Sequence, residues 1–247
     1  MKRFWTLLKN ELKLSIRDMN MVIFAVLMPL AILIILGIIC GGKPAYDGAP
    51  YTFMEQSFGA ACAVSMCAGG LMGLPLVVSD YRERKILKRF QVTPVSPALL
   101  LGVELTVYIL YCAASLVTLG ITAALVWNVR LSGAAPAFLG SWLITMLSTL
   151  SIGMLVGGVA KNSKRAGVIA SILYFPMLIF SGTTLPIEVM PGAMQKVVRL
   201  FPLTQGITLM KNTFLGIQAG STLLPVAVLL GLAILCTGLA VRFFRWE

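Results

Sequence analysis

Six long apolar stretches divide the chain, and the lysines and arginines fall mainly into alternate gaps between them. Counted from the N-terminus, the first, third, fifth and last polar segments hold 15 of the 20 basic residues, and the other three hold five. A soluble fold has no need of this sorting, whereas a membrane imposes it because cationic loops resist translocation and stay in the cytoplasm. The pattern therefore predicts a multi-pass membrane protein with both termini in the cytoplasm.

The composition agrees with a membrane protein and argues against several kinds of site. Hydrophobic residues make up 58% of the chain and charged residues 12%, about half the charged fraction of an ordinary globular protein. The net charge of +11 lies beside apolar segments, which favours membrane lipid as its partner and predicts no binding of nucleic acid. Histidine is absent and the five cysteines lie in or beside apolar stretches, so we expect no catalytic residue, metal site, bound cofactor or disulfide framework.

The fold class predicted from these stretches is an all-α integral membrane protein with six transmembrane helices. The spans are expected at about 21–40, 57–79, 105–127, 136–160, 166–183 and 222–244. Most of them reach the roughly 20 residues that cross the hydrocarbon core of a bilayer. Glycines spaced by four, at Gly69 and Gly73 and at Gly153 and Gly157, would let neighbouring helices pack closely.

Residues 1–18 have the pattern of an amphipathic helix lying on the membrane surface. One face repeats an apolar residue every four positions, and the opposing face is basic: Phe4, Leu8, Leu12 and Ile16 against Lys2, Lys9, Lys13 and Arg17. That division is typical of an interfacial helix. The alternative is a basic flank that only sets the orientation of the first span.

The segment 80–97 reads DYRERKILKRFQVTPVSP and joins the second and third spans. Residues 81–90 are expected to form a short cationic helix, with Ile86, Leu87 and Phe90 on an apolar side. Pro94 and Pro97 end it, because the residue before a proline avoids the helical region. The alternative is an ordinary positively charged loop.

The segment 180–206 follows the shortest span and contains three prolines, Pro186, Pro191 and Pro202. They divide it into pieces too short to cross a bilayer, with a helix expected from Pro191 to about Phe201. This pattern predicts a re-entrant segment at 184–206 that dips into the outer leaflet, where broken backbone is tolerated only against protein or a wet cavity. The alternative is a surface loop with one amphipathic helix.

These two segments, in this order and within six spans, resemble the permease subunits of ABC-2 type ATP-binding-cassette exporters, in their drug-resistance-like branch. The resemblance covers essentially the whole chain, as a single transmembrane domain over 1–247. It is strongest at 181–215, where SG…P…MP…Q…PLT…K…FLG is similar to the family's signature. The run Glu83…Arg89…Thr93-Pro94-Val95-Ser96 resembles its cytoplasmic loop, although Lys85 and Ile86 stand where many members carry Gly and Thr.

The resemblance implies roles for two sets of residues. In the family the cytoplasmic loop holds a coupling helix that docks on the ATPase. The corresponding residues here are Arg82, Glu83, Arg84, Lys85, Leu87, Lys88, Arg89 and Phe90. The re-entrant segment would form a gate over the exit, with Ser181, Gly182, Pro186, Met190, Pro191, Pro202, Leu203 and Thr204 as its residues.

The resemblance also implies the function and the partners. The chain contains no GxxxxGK[ST] phosphate loop, so ATP and Mg would be bound by a separate ATPase subunit, present in two copies. A second permease chain, the same or related, would complete the pathway in the bacterial inner membrane. The expected activity is ATP-driven export of a hydrophobic or amphiphilic molecule, such as a drug, an antimicrobial peptide or a lipid-like compound. The alternatives are an ion-coupled secondary transporter, or an ABC-2 exporter of sodium or polysaccharide.

Two glutamates near the membrane are candidates for a special role. Glu104 is expected about one turn before the third span, where it would pair with Arg82, Lys88 or a neighbouring chain. A role in proton or substrate binding is the alternative. Glu188 lies in the proline-rich segment, where it would meet either Lys196 or a cationic amphiphile.

Overall fold

The structure is a computed structural model that describes residues 2–46, 48–85, 96–181, 191–217 and 222–243. Within these ranges the chain forms helices joined by short turns, with one isolated β-bridge between Pro44 and Thr52. The helices are α1 (Lys2–Asp18), α2 (Asn20–Cys40), α3 (Phe53–Glu83), α4 (Pro97–Trp127), α5 (Ala135–Val159), α6 (Ser163–Phe180), α7 (Gly192–Val198), α8 (Pro202–Leu215) and α9 (Leu223–Phe243).

Six of these helices, α2 to α6 and α9, are long and apolar enough to cross a membrane, as the sequence predicts. Two of them are longer than the apolar runs indicate. The helix α3 continues to Glu83, and α4 begins at Pro97, where the side chain of Ser96 accepts a hydrogen bond from the backbone N–H of Leu99 at 3.2 Å. A hydropathy pattern shows only the part of a helix that lies in hydrocarbon, so polar turns that continue the helix are missed.

The expectation of one short helix over residues 81–90 is wrong at its first half. Residues 81–83 form the last turn of α3, and Arg84 and Lys85 form a turn after it. The backbone of Lys85 has φ +54°, a left-handed conformation that a helix does not continue through. Leu87, Lys88, Arg89 and Phe90 lie outside the described residues.

The centre of the bundle is α3, which packs against α5. Of its apolar part 83% is buried, compared with 56% for α5 and 22–28% for the other spans. Contact is close because a side chain at Gly153 would collide with the carbonyl of Gly70, and one at Gly157 would come within 2.9 Å of Val78. The backbone of α3 is π-helical at Ala68–Gly73, where it meets α5. The glycines at 153 and 157 therefore permit close packing, as expected.

The helix α8 is too short to span and runs antiparallel to α5. Near its C-terminus Phe214 packs edge to face against Phe138 of α5, with ring centroids 5.3 Å apart, and about two turns earlier Gly206 contacts Thr145. Thr145 lies about 15 Å along α5 from its N-terminus, so α8 starts well inside the bundle and rises toward the turn between α4 and α5. That turn is fixed to it, because the N–H of Gly133 donates to the carbonyl of Phe214 at 2.9 Å.

The helix α1 packs onto the start of α4 and onto α2. Leu8 is buried in a small apolar cluster with Ala25, Val103 and Tyr111. The hydroxyl of Tyr111 also donates to the Ser15 hydroxyl at 2.9 Å. The amphipathic helix predicted over residues 1–18 is therefore present at Lys2–Asp18 and holds part of the core, so it is more than a basic flank. Its placement on the bilayer surface stays a prediction.

Candidate functional site

Five helices meet at one end of the bundle, which we call the basic end: α1, the last turn of α3, the first turns of α4, the C-terminus of α5 and the N-terminus of α6. Three consecutive residues of α3, namely Tyr81, Arg82 and Glu83, contact different neighbouring helices there. We call these three residues the α3 bracket. Consecutive helical side chains point about 100° apart, so one turn of helix can reach in several directions.

The first residue of the bracket, Tyr81, joins α3 to both α1 and α4. Its hydroxyl lies 3.0 Å from a carboxylate oxygen of Glu11 and 2.9 Å from one of Glu104. Glu104 is buried and Glu11 is half-buried. One phenol therefore connects the N-terminal helix to the start of α4.

The second residue, Arg82, holds the C-terminal end of α5. One guanidinium nitrogen donates to the carbonyls of Gly158 at 2.7 Å, Ala160 at 2.9 Å and Gly157 at 3.3 Å. The last carbonyls of a helix have no partner within the helix, and they carry the negative end of its dipole. A cation there is stabilising both because it donates hydrogen bonds to these carbonyls and because its charge is attracted to the dipole. Arg82 is thus a cap on α5.

The third residue, Glu83, caps the neighbouring helix at its other end. Its carboxylate accepts a hydrogen bond from the backbone N–H of Ser163 at 2.9 Å, in the first turn of α6. A negative charge is stabilising at the N-terminus of a helix. The side chain of Asn162 accepts a second orphan N–H, that of Arg165, at 2.9 Å. Arg82 and Glu83 together tie α3 to both sides of the turn between α5 and α6.

The next residues point away from the bundle. Arg84 is exposed and pairs with Asp80 of its own helix at 2.9 Å, and Lys85 is exposed. An exposed pair within one helix contributes only about 0.3–0.5 kcal/mol. The cations predicted as one set therefore separate into an inward residue, Arg82, and two outward ones that lead toward residues 86–95.

Of the partners expected for Glu104, the structure contradicts Arg82 and leaves a neighbouring chain as a prediction. Its carboxylate contacts the hydroxyl of Tyr81, and Arg82 instead donates to the end of α5. Lys88 lies outside the described residues. Sequence reasoning missed Glu11 as a site residue, although it is an acidic residue in the middle of an amphipathic helix whose polar face is otherwise mainly basic. An isolated acid inside such a helix is the signal that both Glu11 and Glu104 offered.

A cavity of about 410 Å³ opens beside the bracket. Its polar wall is formed by Glu11, Ser15, Asp80, Tyr81, Glu104 and Ser163, and its apolar wall by Leu14, Met21, Leu76 and Val77. A second cavity of about 380 Å³ lies between α4, α5 and α9, and its walls are alkyl side chains apart from two hydroxyls, Ser151 and Thr237. These two hydroxyls are hydrogen-bonded to each other at 3.2 Å, so they leave the second cavity apolar.

The predicted gate residues fall at the two sides of a gap in the described chain. Ser181, Leu203 and Thr204 are buried, Pro202 is half-buried and Pro191 is exposed. Pro191 precedes α7, which ends at Val198, so the helix expected to reach Phe201 is present but shorter. Gly182, Pro186, Met190 and Glu188 lie outside the described residues, and the helix α8 extends beyond the predicted segment to Leu215.

Comparison with known proteins identifies relatives of this chain. The sequence model of the ABC-2 type transporter family matches residues 2–215. The inner membrane transport permease YhhJ of Escherichia coli (strain K12) is 24% identical over 147 residues, which cover 59% of this chain and 39% of YhhJ. Nodulation protein J of Rhizobium leguminosarum bv. viciae is 32% identical over 86 residues, covering 35% of this chain and 33% of that protein. The chain thus aligns with well under half the length of these relatives.

Proposed function

The chain belongs to the ABC-2 type transporter family, whose members are membrane subunits of ABC transporters, and we propose that it drives export of a hydrophobic or amphiphilic molecule from the cell. The family works with an ABC ATPase subunit and its membrane subunits are not themselves enzymes. ATP and Mg are then bound by that separate chain. The bacterial inner membrane is the proposed location, since YhhJ carries that description.

The observation that carries the proposal is the α3 bracket. Any force applied to residues just after Glu83 reaches α1 and α4 through Tyr81, α5 through Arg82 and α6 through Glu83. Four helices are therefore linked to the last turn of one, and that one is the most buried span. Movement of packed helices as rigid bodies is a common way to transmit a conformational change.

Two roles follow for the residues of the coupling set. Arg84, Lys85, Leu87, Lys88, Arg89 and Phe90 are proposed to contact the ATPase. Arg82 and Glu83 instead transmit movement, because their side chains are engaged with α5 and α6. The basic end is then cytoplasmic, in keeping with the retention of cationic loops there, and the N-terminus and C-terminus lie on that side.

The gate is proposed at the opposite end. The helix α8 rises toward the turn between α4 and α5, away from the basic end, and its first residues Pro202, Leu203 and Thr204 lie deepest in the bundle. Together with Ser181, Gly182, Pro186, Met190 and Pro191 they form the re-entrant gate over the exit. A helix that starts inside the bilayer is tolerated when protein surrounds it, and Leu203 and Thr204 are buried.

The substrate class is supported by the apolar cavity between α4, α5 and α9. Its volume of about 380 Å³ lies in the range of about 300–1,000 Å³ that is usual for small-molecule sites. Because its two hydroxyls bond to each other, it suits the alkyl part of an amphiphile better than a sugar. A second permease chain and two ATPase copies complete the proposed exporter.

The experiment that tests the coupling role is co-purification with the ATPase. In the double variant Arg84→Ser/Lys85→Ser, ATPase recovery should fall while the amount of permease in the membrane is unchanged. The matched control is Lys161→Ser/Lys164→Ser, which removes two exposed cations, one in the turn between α5 and α6 and one in the first turn of α6. Equal recovery from the two variants would overturn the assignment of the docking surface.

A further inference from the structure

The hydroxyl of Tyr81 has one proton and two carboxyl groups as neighbours. The hydroxyl lies within hydrogen-bonding distance of two carboxyl groups, at 3.0 Å from Glu11 and 2.9 Å from Glu104. A phenol carries one proton, so it can donate to only one of them at a time. The second contact becomes a hydrogen bond only when the second carboxyl group brings a proton of its own.

The surroundings make two ionised carboxylates on one hydroxyl unfavourable. Glu104 is 5% exposed, so its charge has little access to water. Like charges that share a site favour a state in which one of the two groups is protonated. When α1 leaves, Glu11 returns to water and the shared proton loses its second carboxyl group.

We propose that Glu11, Tyr81 and Glu104 form a proton-binding site that holds α1 against α3 and α4. The docked state of α1 binds one more proton than the undocked state, so docking strengthens as the pH falls and weakens as the pH rises. The ligand is a proton, and the inference concerns only the docking of α1. It therefore stands or falls independently of the proposed contact with an ATPase.

Among the described residues, two further titratable side chains line the same cavity. Asp80 lines the same cavity and is paired with the guanidinium of Arg84 at 2.9 Å. Tyr108 of α4 is a second phenol in the cavity wall. The helices α2 and α6 contribute Met21 and Ser163 to that wall, and neither side chain titrates.

The test measures the position of α1 in the full-length protein in lipid nanodiscs. Spin labels replace the exposed side chains of Lys9 on α1 and Lys161 near the end of α5, in a background without the native cysteines. The distance distribution should be narrow at about pH 5 and broad at about pH 9, since docking of α1 retains the shared proton and is lost when that proton is released. In Glu11→Gln, which cannot ionise, it should be narrow at both pH values.

A matched control separates the proton site from general loosening of α1. Ser15→Ala removes the hydrogen bond with Tyr111, which also holds α1 but contains no carboxyl group. This variant should broaden the distribution at low pH and keep the pH dependence. Infrared spectroscopy gives a direct readout, since a protonated carboxyl band should be present in the wild type and absent in Glu104→Gln. A wild-type distribution that does not change with pH, or a pH dependence that persists in Glu11→Gln, would overturn the proposal.

Discussion

Arg82 donates a hydrogen bond of 2.7 Å to the carbonyl of Gly158, a residue 76 positions further along the chain. The contact joins the end of α3 to the C-terminus of α5, next to the turn that begins α6. Arg82 was predicted to belong to the surface that docks on the ATPase. In the structure it is instead a helix cap that holds α3 and α5 together. Its effect can be separated from that of its neighbours.

Replacement of Arg82 by alanine should destabilise the fold. The variant leaves three helix-end carbonyls without their donor, and an unsatisfied buried polar group costs about 1–3 kcal/mol. Arg84→Ala removes only an exposed pair with Asp80, so its effect should stay within about 0.5 kcal/mol. Thermal unfolding in detergent should therefore show a lower midpoint for Arg82→Ala and little change for Arg84→Ala. Equal midpoints would contradict the capping role.

The contact between α8 and α5 predicts that Gly206 tolerates no side chain. A methyl group there would collide with Thr145, and overpacking of this kind costs about 1–3 kcal/mol. Gly140 lies on α5, as Thr145 does, and a Cβ atom added to it meets no atom within 4 Å, so Gly140→Ala serves as the control. The yield of folded protein after detergent extraction should fall for Gly206→Ala alone. A normal yield and unfolding midpoint for that variant would mean that α8 does not lie against Thr145.

We expect that a larger side chain can fill the apolar cavity between α4, α5 and α9 without disturbing the fold. Gly102 lines the cavity, and a Cβ atom added there meets no atom within 4 Å. Gly102→Leu should weaken the binding of a fluorescent alkyl probe about tenfold, which corresponds to about 1.4 kcal/mol. Gly231→Leu, on α9 and equally open, should bind the probe like the wild type. Unchanged binding to both variants would exclude this cavity as the alkyl site.

The six spans follow from the sequence because hydropathy acts locally. The separation of Arg82, which contacts α5, from the exposed Arg84 and Lys85 could not be predicted in the same way. Arg82 lies in the last turn of α3 and contacts the end of α5, whereas Arg84 lies in the turn that follows and is exposed. A count of charges cannot separate them unless the end of the helix at Glu83 is known. The apolar pattern stops at about residue 79 and therefore conceals that end.

The contacts of Tyr81 with Glu11 and Glu104 could not be predicted from the sequence either. Glu11 lies 70 positions and Glu104 lies 23 positions from Tyr81, and no helical period connects them. Their contact depends on how α1 packs against α4, which the burial of Leu8 and Val103 fixes. The isolated acids were visible in the sequence, but their common partner was not.

In the proposed mechanism the α3 bracket transmits movement from the ATPase to the spans. Its most direct test is ATP hydrolysis stimulated by transported substrate, measured on the purified complex in liposomes for the variant Tyr81→Phe/Glu83→Ala. Asp80→Asn is the control, because within the described residues Asp80 pairs with Arg84, four positions along the chain, and not with another helix. The double variant should assemble with the ATPase normally and lose stimulation roughly 5-fold or more. If a complex that contains the double variant is stimulated as strongly as the wild type, the α3 bracket does not transmit the movement.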